Sequence, residues 1–222
     1  MLRSLLALSL LVLLGAAAPP KDWRTTGVES VAGWTFGRPG APLLSEYASF
    51  GCPHCALFSE GAGPTINARV KAGKLRLSWR PFLIFPHDRA AAVLARCVPA
   101  PRRLAFIEAL MADQKGIKAR LADGQRNDAI RQRLYEAELR GPEAEAAVIA
   151  DVTGLDDLAV RHGLSGARAS TCLASAANHS WVTNADLTAR TAGVTSTPTF
   201  FLAGKAFPGK LTPEELVAAL PR

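Results

Sequence analysis

Cys52-Pro53-His54-Cys55 is the segment of this chain with the most chemistry in it. Two thiols separated by two residues can close into a disulfide, open again and hand the electron pair on, so the spacing points to thiol–disulfide exchange. Zinc binding is the competing use of such a pair. Zinc needs two more ligands at matching spacing, and the other two cysteines, Cys97 and Cys172, do not form a second pair of this kind. Pro53 suits the first turn of a helix that Cys52 would open. A sulfur there faces unpaired backbone N–H groups and the positive end of the helix dipole, which favour a thiolate and lower its pKa. Cys52 is therefore the expected nucleophile. Cys55, one turn deeper, is expected to be buried and to resolve mixed disulfides. His54 can add to the stabilisation as a cation or a hydrogen-bond donor. A stabilised thiolate makes the disulfide easier to reduce, and so a stronger oxidant.

The elements that position these groups follow from the hydrophobic pattern. Pro42 to Phe50 is an apolar run that predicts a buried strand feeding Cys52. Glu46 lies on it, on the face shared with Leu44 and Ala48, so a partly buried carboxylate with a raised pKa is expected there. Val31 to Phe36 predicts a short first strand, and Leu75 to Ile84 another. Residues 21–30 are polar and read as loose. From Asp88 to Arg190 the chain turns rich in Ala, Leu, Arg and Glu, with Asp88 expected to cap a helix running through Cys97, further helix starts at Pro101 and Pro142 and breaks at Gly154 and Gly163. Thr199 to Ala203 predicts a late strand, Gly204-Lys205 a tight turn, and Thr212-Pro213-Glu214-Glu215 the start of a last helix. This order predicts an α/β fold: a mixed sheet in two halves with an all-α insertion between them. The expected segments are a leader (1–17), a flexible stretch (18–30), the first part of the sheet domain (31–86), a helical insertion (87–190) and the second part of the sheet domain (191–222).

Composition excludes several classes. The chain has 222 residues, 49% of them hydrophobic and 20% charged, which is globular and not disordered. Net charge is +7, but Arg126, Arg131, Arg133 and Arg140 alternate with Asp128, Glu136 and Glu138. That is a solvated helix face rather than a nucleic-acid footprint. Arg3, the apolar run Leu5 to Leu14 and the small residues from Gly15 to Ala18 read as a cleavable secretion signal, cut after Ala17. The apolar run falls short of the ~20 residues of a spanning helix. An exported chain enters an oxidising compartment, where four cysteines favour disulfides. For Cys97 and Cys172 the expectation is a structural disulfide joining two helices, with a second redox pair or free buried thiols as the alternatives. His87 reads as a turn residue, and His162 and His179 as exposed positions on helices. Trp79, Trp181 and Phe82 read as packing.

With the Cys52-Pro53-His54-Cys55 motif, the segment Gly193 to Phe201 and the placing of Glu46, the chain resembles the exported DsbA-type thiol–disulfide oxidoreductases of the thioredoxin superfamily. The resemblance spans residues 31 to 222 in layout. It implies a thioredoxin-like fold with an inserted helical domain and no metal or organic cofactor. Pro-His between the cysteines is the dipeptide of disulfide-donating members. By resemblance Glu46 helps move the proton of Cys55, and Pro198 is a cis proline opposite Cys52, with Thr197 offering backbone groups to an extended client chain. Thr before that proline is more typical of isomerase-type or reducing relatives, which leaves the direction of electron flow open. The implied activity is donation of the Cys52–Cys55 disulfide to exported clients with free thiols in a bacterial periplasm. Reoxidation falls to a quinone-linked membrane partner. The alternatives are an isomerase or reductase for particular clients, or a client-binding protein without catalysis. A monomer that does not bind nucleic acid is expected.

Overall fold

The computed structural model describes residues 21–207 and 211–221. The expected secretion signal lies outside the described residues. No helix among the described residues is long and apolar enough to cross a membrane.

A six-stranded sheet runs in the order β1-β2-β4-β3-β5-β6. The strands are β1 (Val28–Ser30), β2 (Gly33–Phe36), β3 (Leu43–Ala48), β4 (Arg76–Pro81), β5 (Thr199–Leu202) and β6 (Lys205–Ala206). β3 pairs in parallel with β4 and antiparallel with β5, so it is a central strand covered on both edges. Between β3 and β4 come α1 (Pro53–Gly61) and α2 (Gly63–Lys71). Between β4 and β5 lies the helical block: α3 (Asp88–Cys97), α4 (Ala100–Ala112), α5 (Gln114–Arg126), α6 (Asp128–Arg140), α7 (Pro142–Thr153), α8 (Leu155–Arg161), α9 (Gly166–Leu173) and α10 (Ala176–Thr191). The chain closes with α11 (Pro213–Ala219), opened by a capping box between Thr212 and Glu215.

The core sits on the α1 face of the sheet. Phe50 packs on Trp79 with ring centroids 4.4 Å apart, and Phe58 on Phe200 at 4.9 Å. α2 carries Pro64 in its first turn, and its missing N–H interrupts the ladder that would continue α1. A Cβ on Gly61 would lie 2.8 Å from Pro213, so α11 can approach only over a glycine. The long α10 leaves the other helices and returns to the sheet, where Trp181 reaches Trp34 with centroids 5.1 Å apart.

Three expectations change. Residues 21–30 are not loose: Asp22 caps a 3-10 turn over Trp23–Thr25, and β1 pairs with β2 in a hairpin. A three-residue edge strand, exposed throughout, carries too little alternation to read from sequence. His179 is buried, its Nε2 2.8 Å from the Leu173 carbonyl oxygen. Asp88 does not cap its helix; His87 occupies that position and the Asp88 carboxylate turns toward the redox site.

Candidate active site

Cys52 is the N-cap of α1, with extended backbone (φ −77°, ψ 117°) and Pro53 behind it. Strand β3 delivers it through Ser49, Phe50 and Gly51. Gly51 has to be glycine, because a Cβ would run into the Phe85 ring. The short loop is held from two sides. Asp88 accepts from the Gly51 N–H at 2.9 Å and from the Ser49 hydroxyl at 2.8 Å. The same carboxylate accepts from the N–H groups of Ile84 and Phe85, each at 2.8 Å, tying the exits of β3 and β4 together. On the other side the buried Gln114 amide donates to the carbonyls of Phe50 at 2.8 Å and Cys52 at 2.9 Å. Asp88 and Gln114 stand at the starts of helices in the inserted block, so that block fixes the backbone on either side of Cys52.

The Cys52 Sγ lies 3.3 Å from the Thr197 carbonyl oxygen. The Thr197–Pro198 bond is cis. This brings together residues 145 positions apart, the start of α1 and the start of β5. Cys52 keeps only 6% of its surface exposed and Cys55 none, and both are free thiols in the structure.

The two sulfurs are driven in opposite directions. The Cys55 thiol donating to Cys52, helped by the Thr197 hydroxyl and the N–H groups of Cys55 and His54, brings Cys52 down to about 5, against the opposing effect of burial. Cys55 is pushed far up, first by that same hydrogen bond, then by burial and the nearby Glu46 charge. The result is one sulfur that ionises readily beside one that holds its proton. His54 contributes through its backbone N–H; its imidazole is exposed and makes no hydrogen bond among the described residues. The Thr197 hydroxyl has no hydrogen-bond partner among the described residues while Cys52 is a thiol, which leaves it free for the thiolate.

Glu46 sits mid-strand in register with Trp79 on β4 and Phe200 on β5. It is 9% exposed, and burial lifts its carboxyl from 4.5 to about 8. It is therefore a protonated, neutral acid at neutral pH, and only when it ionises does its charge push the Cys55 thiol further up.

Cys97 and Cys172 form a disulfide between α3 and α9, with Cα atoms 6.4 Å apart. The Asn178 amide lies 3.3 Å from each sulfur. Among the described residues no three His, Cys, Asp or Glu side chains are grouped to hold a metal ion.

A thioredoxin family model matches residues 29–222. No curated protein matches the chain. Among solved structures, a protein-disulfide isomerase from Novosphingobium aromaticivorans superposes with a TM-score of 0.71 at 25% identity, covering 85% of this chain and 97% of that one. Alpha-DsbA1 of Wolbachia pipientis aligns with a TM-score of 0.59 at 22% identity, over 84% of this chain and 89% of its own. BdbD of Bacillus subtilis gives 0.60 at 18%, over 84% and 89%. These last two share the fold. The chain belongs to the thioredoxin family, and its architecture is the thioredoxin-like fold with an inserted all-α domain.

Proposed function

We propose that this thiol–disulfide oxidoreductase donates its Cys52–Cys55 disulfide to the thiols of exported client proteins. The observation that carries the proposal is the opposed pair at the start of α1: Cys52 lowered to about 5 beside a Cys55 held as a thiol. A thiolate so stabilised is a good leaving group, and its disulfide is a strong oxidant.

The geometry supports the following steps. A client thiolate attacks Cys52 Sγ and the Cys52–Cys55 bond breaks. The electron pair goes to Cys55, which takes the Glu46 proton. A second client thiolate then attacks the client sulfur of the mixed disulfide, and Cys52 leaves as a thiolate. Two client thiols become one disulfide, and the enzyme pair becomes a thiolate and a thiol. In this proposal the backbone at Thr197, beside the cis Pro198, pairs with the client chain.

The leader-like residues 1–17 support export, and the resemblance supports a periplasmic site and a quinone-linked membrane partner that restores the disulfide. The isomerase name carried by the Novosphingobium structure, together with Thr197 before Pro198, favours a second reading, in which the same site reshuffles client disulfides. One experiment separates the two. The oxidised protein is mixed with a reduced two-cysteine peptide, and the reduced protein with a client carrying scrambled disulfides. Donation predicts rapid stoichiometric oxidation of the peptide and slow unscrambling; the reverse order would establish the isomerase.

A further inference from the structure

We propose that Glu108 on α4 is the proton exit of the redox site, passing protons between Glu46 and bulk water. This rests on Glu46 being the proton partner of Cys55. Glu46 is enclosed by its central strand and by the helices over it, and Cys55 is fully buried, so protons exchanged between them need a route out.

Glu46 lines a cavity of about 40 Å³ together with Phe58, Asn67, Trp79 and Glu108. A water needs about 10–15 Å³ of such space and polar partners, and this cavity offers a carboxyl group at each of two positions. Glu108 Oε1 is shielded from solvent and has no hydrogen-bond partner among the described residues. A buried carboxyl oxygen left unpaired is costly, and a bridging water would relieve it. On its outer side Glu108 borders a second space, an open groove of about 890 Å³ between α1–α2 and α4–α5. Five residues line both spaces: Ser59, Gly63, Asn67, Glu108 and Met111. Glu108 is the titratable one among them.

The groups facing this route are few. Cys52 and Cys55 lie on the Glu46 side. Asn67 and Arg24 oppose the upward push that burial gives the Glu108 carboxyl. Glu60, Lys115 and Lys118 line the groove beyond. In the client reaction Cys55 takes the Glu46 proton, and the Glu46 carboxylate recovers one from solvent through Glu108. When the disulfide re-forms, the same proton travels outward. Glu108 touches neither sulfur and acts only through Glu46.

The test uses the reduced mature protein and 5,5′-dithiobis(2-nitrobenzoate). The first thionitrobenzoate release reports attack by Cys52. The second reports Cys55 displacing the reagent: Glu46, protonated at pH 7, first passes its proton outward through Glu108 and then takes the Cys55 proton. Glu108→Gln is expected to leave the first release unchanged and to slow the second about tenfold at pH 7, less than the 10²–10⁴-fold typical of losing a general base itself. Added imidazole, small enough to enter the groove, is expected to restore the rate. Glu108→Ala provides a second variant, rescued by acetate. In a Glu46→Gln background Glu108→Gln is expected to add nothing. A second release that is unchanged, or slowed equally in both backgrounds, overturns the proposal for Glu108. Loss of the first release in the parent protein would overturn the role of Cys52 instead.

Discussion

The two cysteine pairs put the same element on two different scaffolds. Cys52 and Cys55 share one helix start, where Cys52 is the cap, Thr197 faces its sulfur, and a buried acid stands behind. Cys97 and Cys172 are 75 residues apart, each in the last turn of one of two packed helices, with an Asn178 amide beside both sulfurs. At the first pair, donors and dipole stabilise a thiolate, so opening the disulfide leaves a favourable product. At the second, neither sulfur caps a helix, and closure removes a long loop's entropy from the unfolded chain. Reactivity is therefore a property of the backbone position a sulfur is given. The comparison predicts that removing the first pair abolishes chemistry with little effect on stability, and that removing the second does the reverse.

Cys52→Ala gives the largest effect. Client oxidation is expected to fall to the uncatalysed background, while unfolding free energy at pH 5, where the Cys52 thiolate has lost most of its contribution, stays within about 1 kcal/mol of the reduced parent. Residual oxidation of the peptide by this variant would break the comparison. The double change Cys97→Ala with Cys172→Ala comes next. With a sequence separation of 75 between the cysteines, the chain-entropy model puts the loss near 4 kcal/mol. Urea unfolding reads it, and peptide oxidation at 25 °C is expected to persist.

Glu46→Gln sharpens the first half. Burial raises Glu46 from 4.5 to about 8, so its favourable contribution is complete below pH 4.5 and lost as pH climbs through 8. The amide variant escapes that loss. Relative to the parent it is expected to gain roughly 4 kcal/mol between pH 4 and pH 9, while the Cys55 step slows about 10²-fold. A stability difference that does not vary with pH would mean Glu46 is not the buried acid of the site. Thr197→Val has the smallest effect. Removing the hydroxyl is expected to move the Cys52 alkylation midpoint up from about 5 by about a unit or less. Folding gains about 1 kcal/mol by losing an unpartnered buried hydroxyl.

What the sequence made legible was local. Pro53 at a helix start, Glu46 on the apolar face of its strand, and Thr212 with Glu215 as a capping box all act on neighbours a few residues away. Asp88 and Gln114 were illegible for the opposite reason. Their partners lie 37 and 62–64 residues off, and nothing in their own surroundings says that a carboxylate and an amide will grip the same loop. His179 was misread because its ring turns back onto the Leu173 carbonyl at the end of the preceding helix, and an isolated pattern cannot show which neighbour will bury it. The placing of the His54 ring was not legible either, since residue spacing does not reveal that the side chain is exposed while its backbone N–H faces the sulfur.

The most direct test of disulfide donation is the reduction potential of Cys52–Cys55 in the mature protein, equilibrated with glutathione buffers. A strongly stabilised Cys52 thiolate predicts a value toward the oxidising end of the superfamily, around −120 to −180 mV. A value near −270 mV, the thioredoxin end of the scale, would contradict donation and make the protein a reductase with the same site residues.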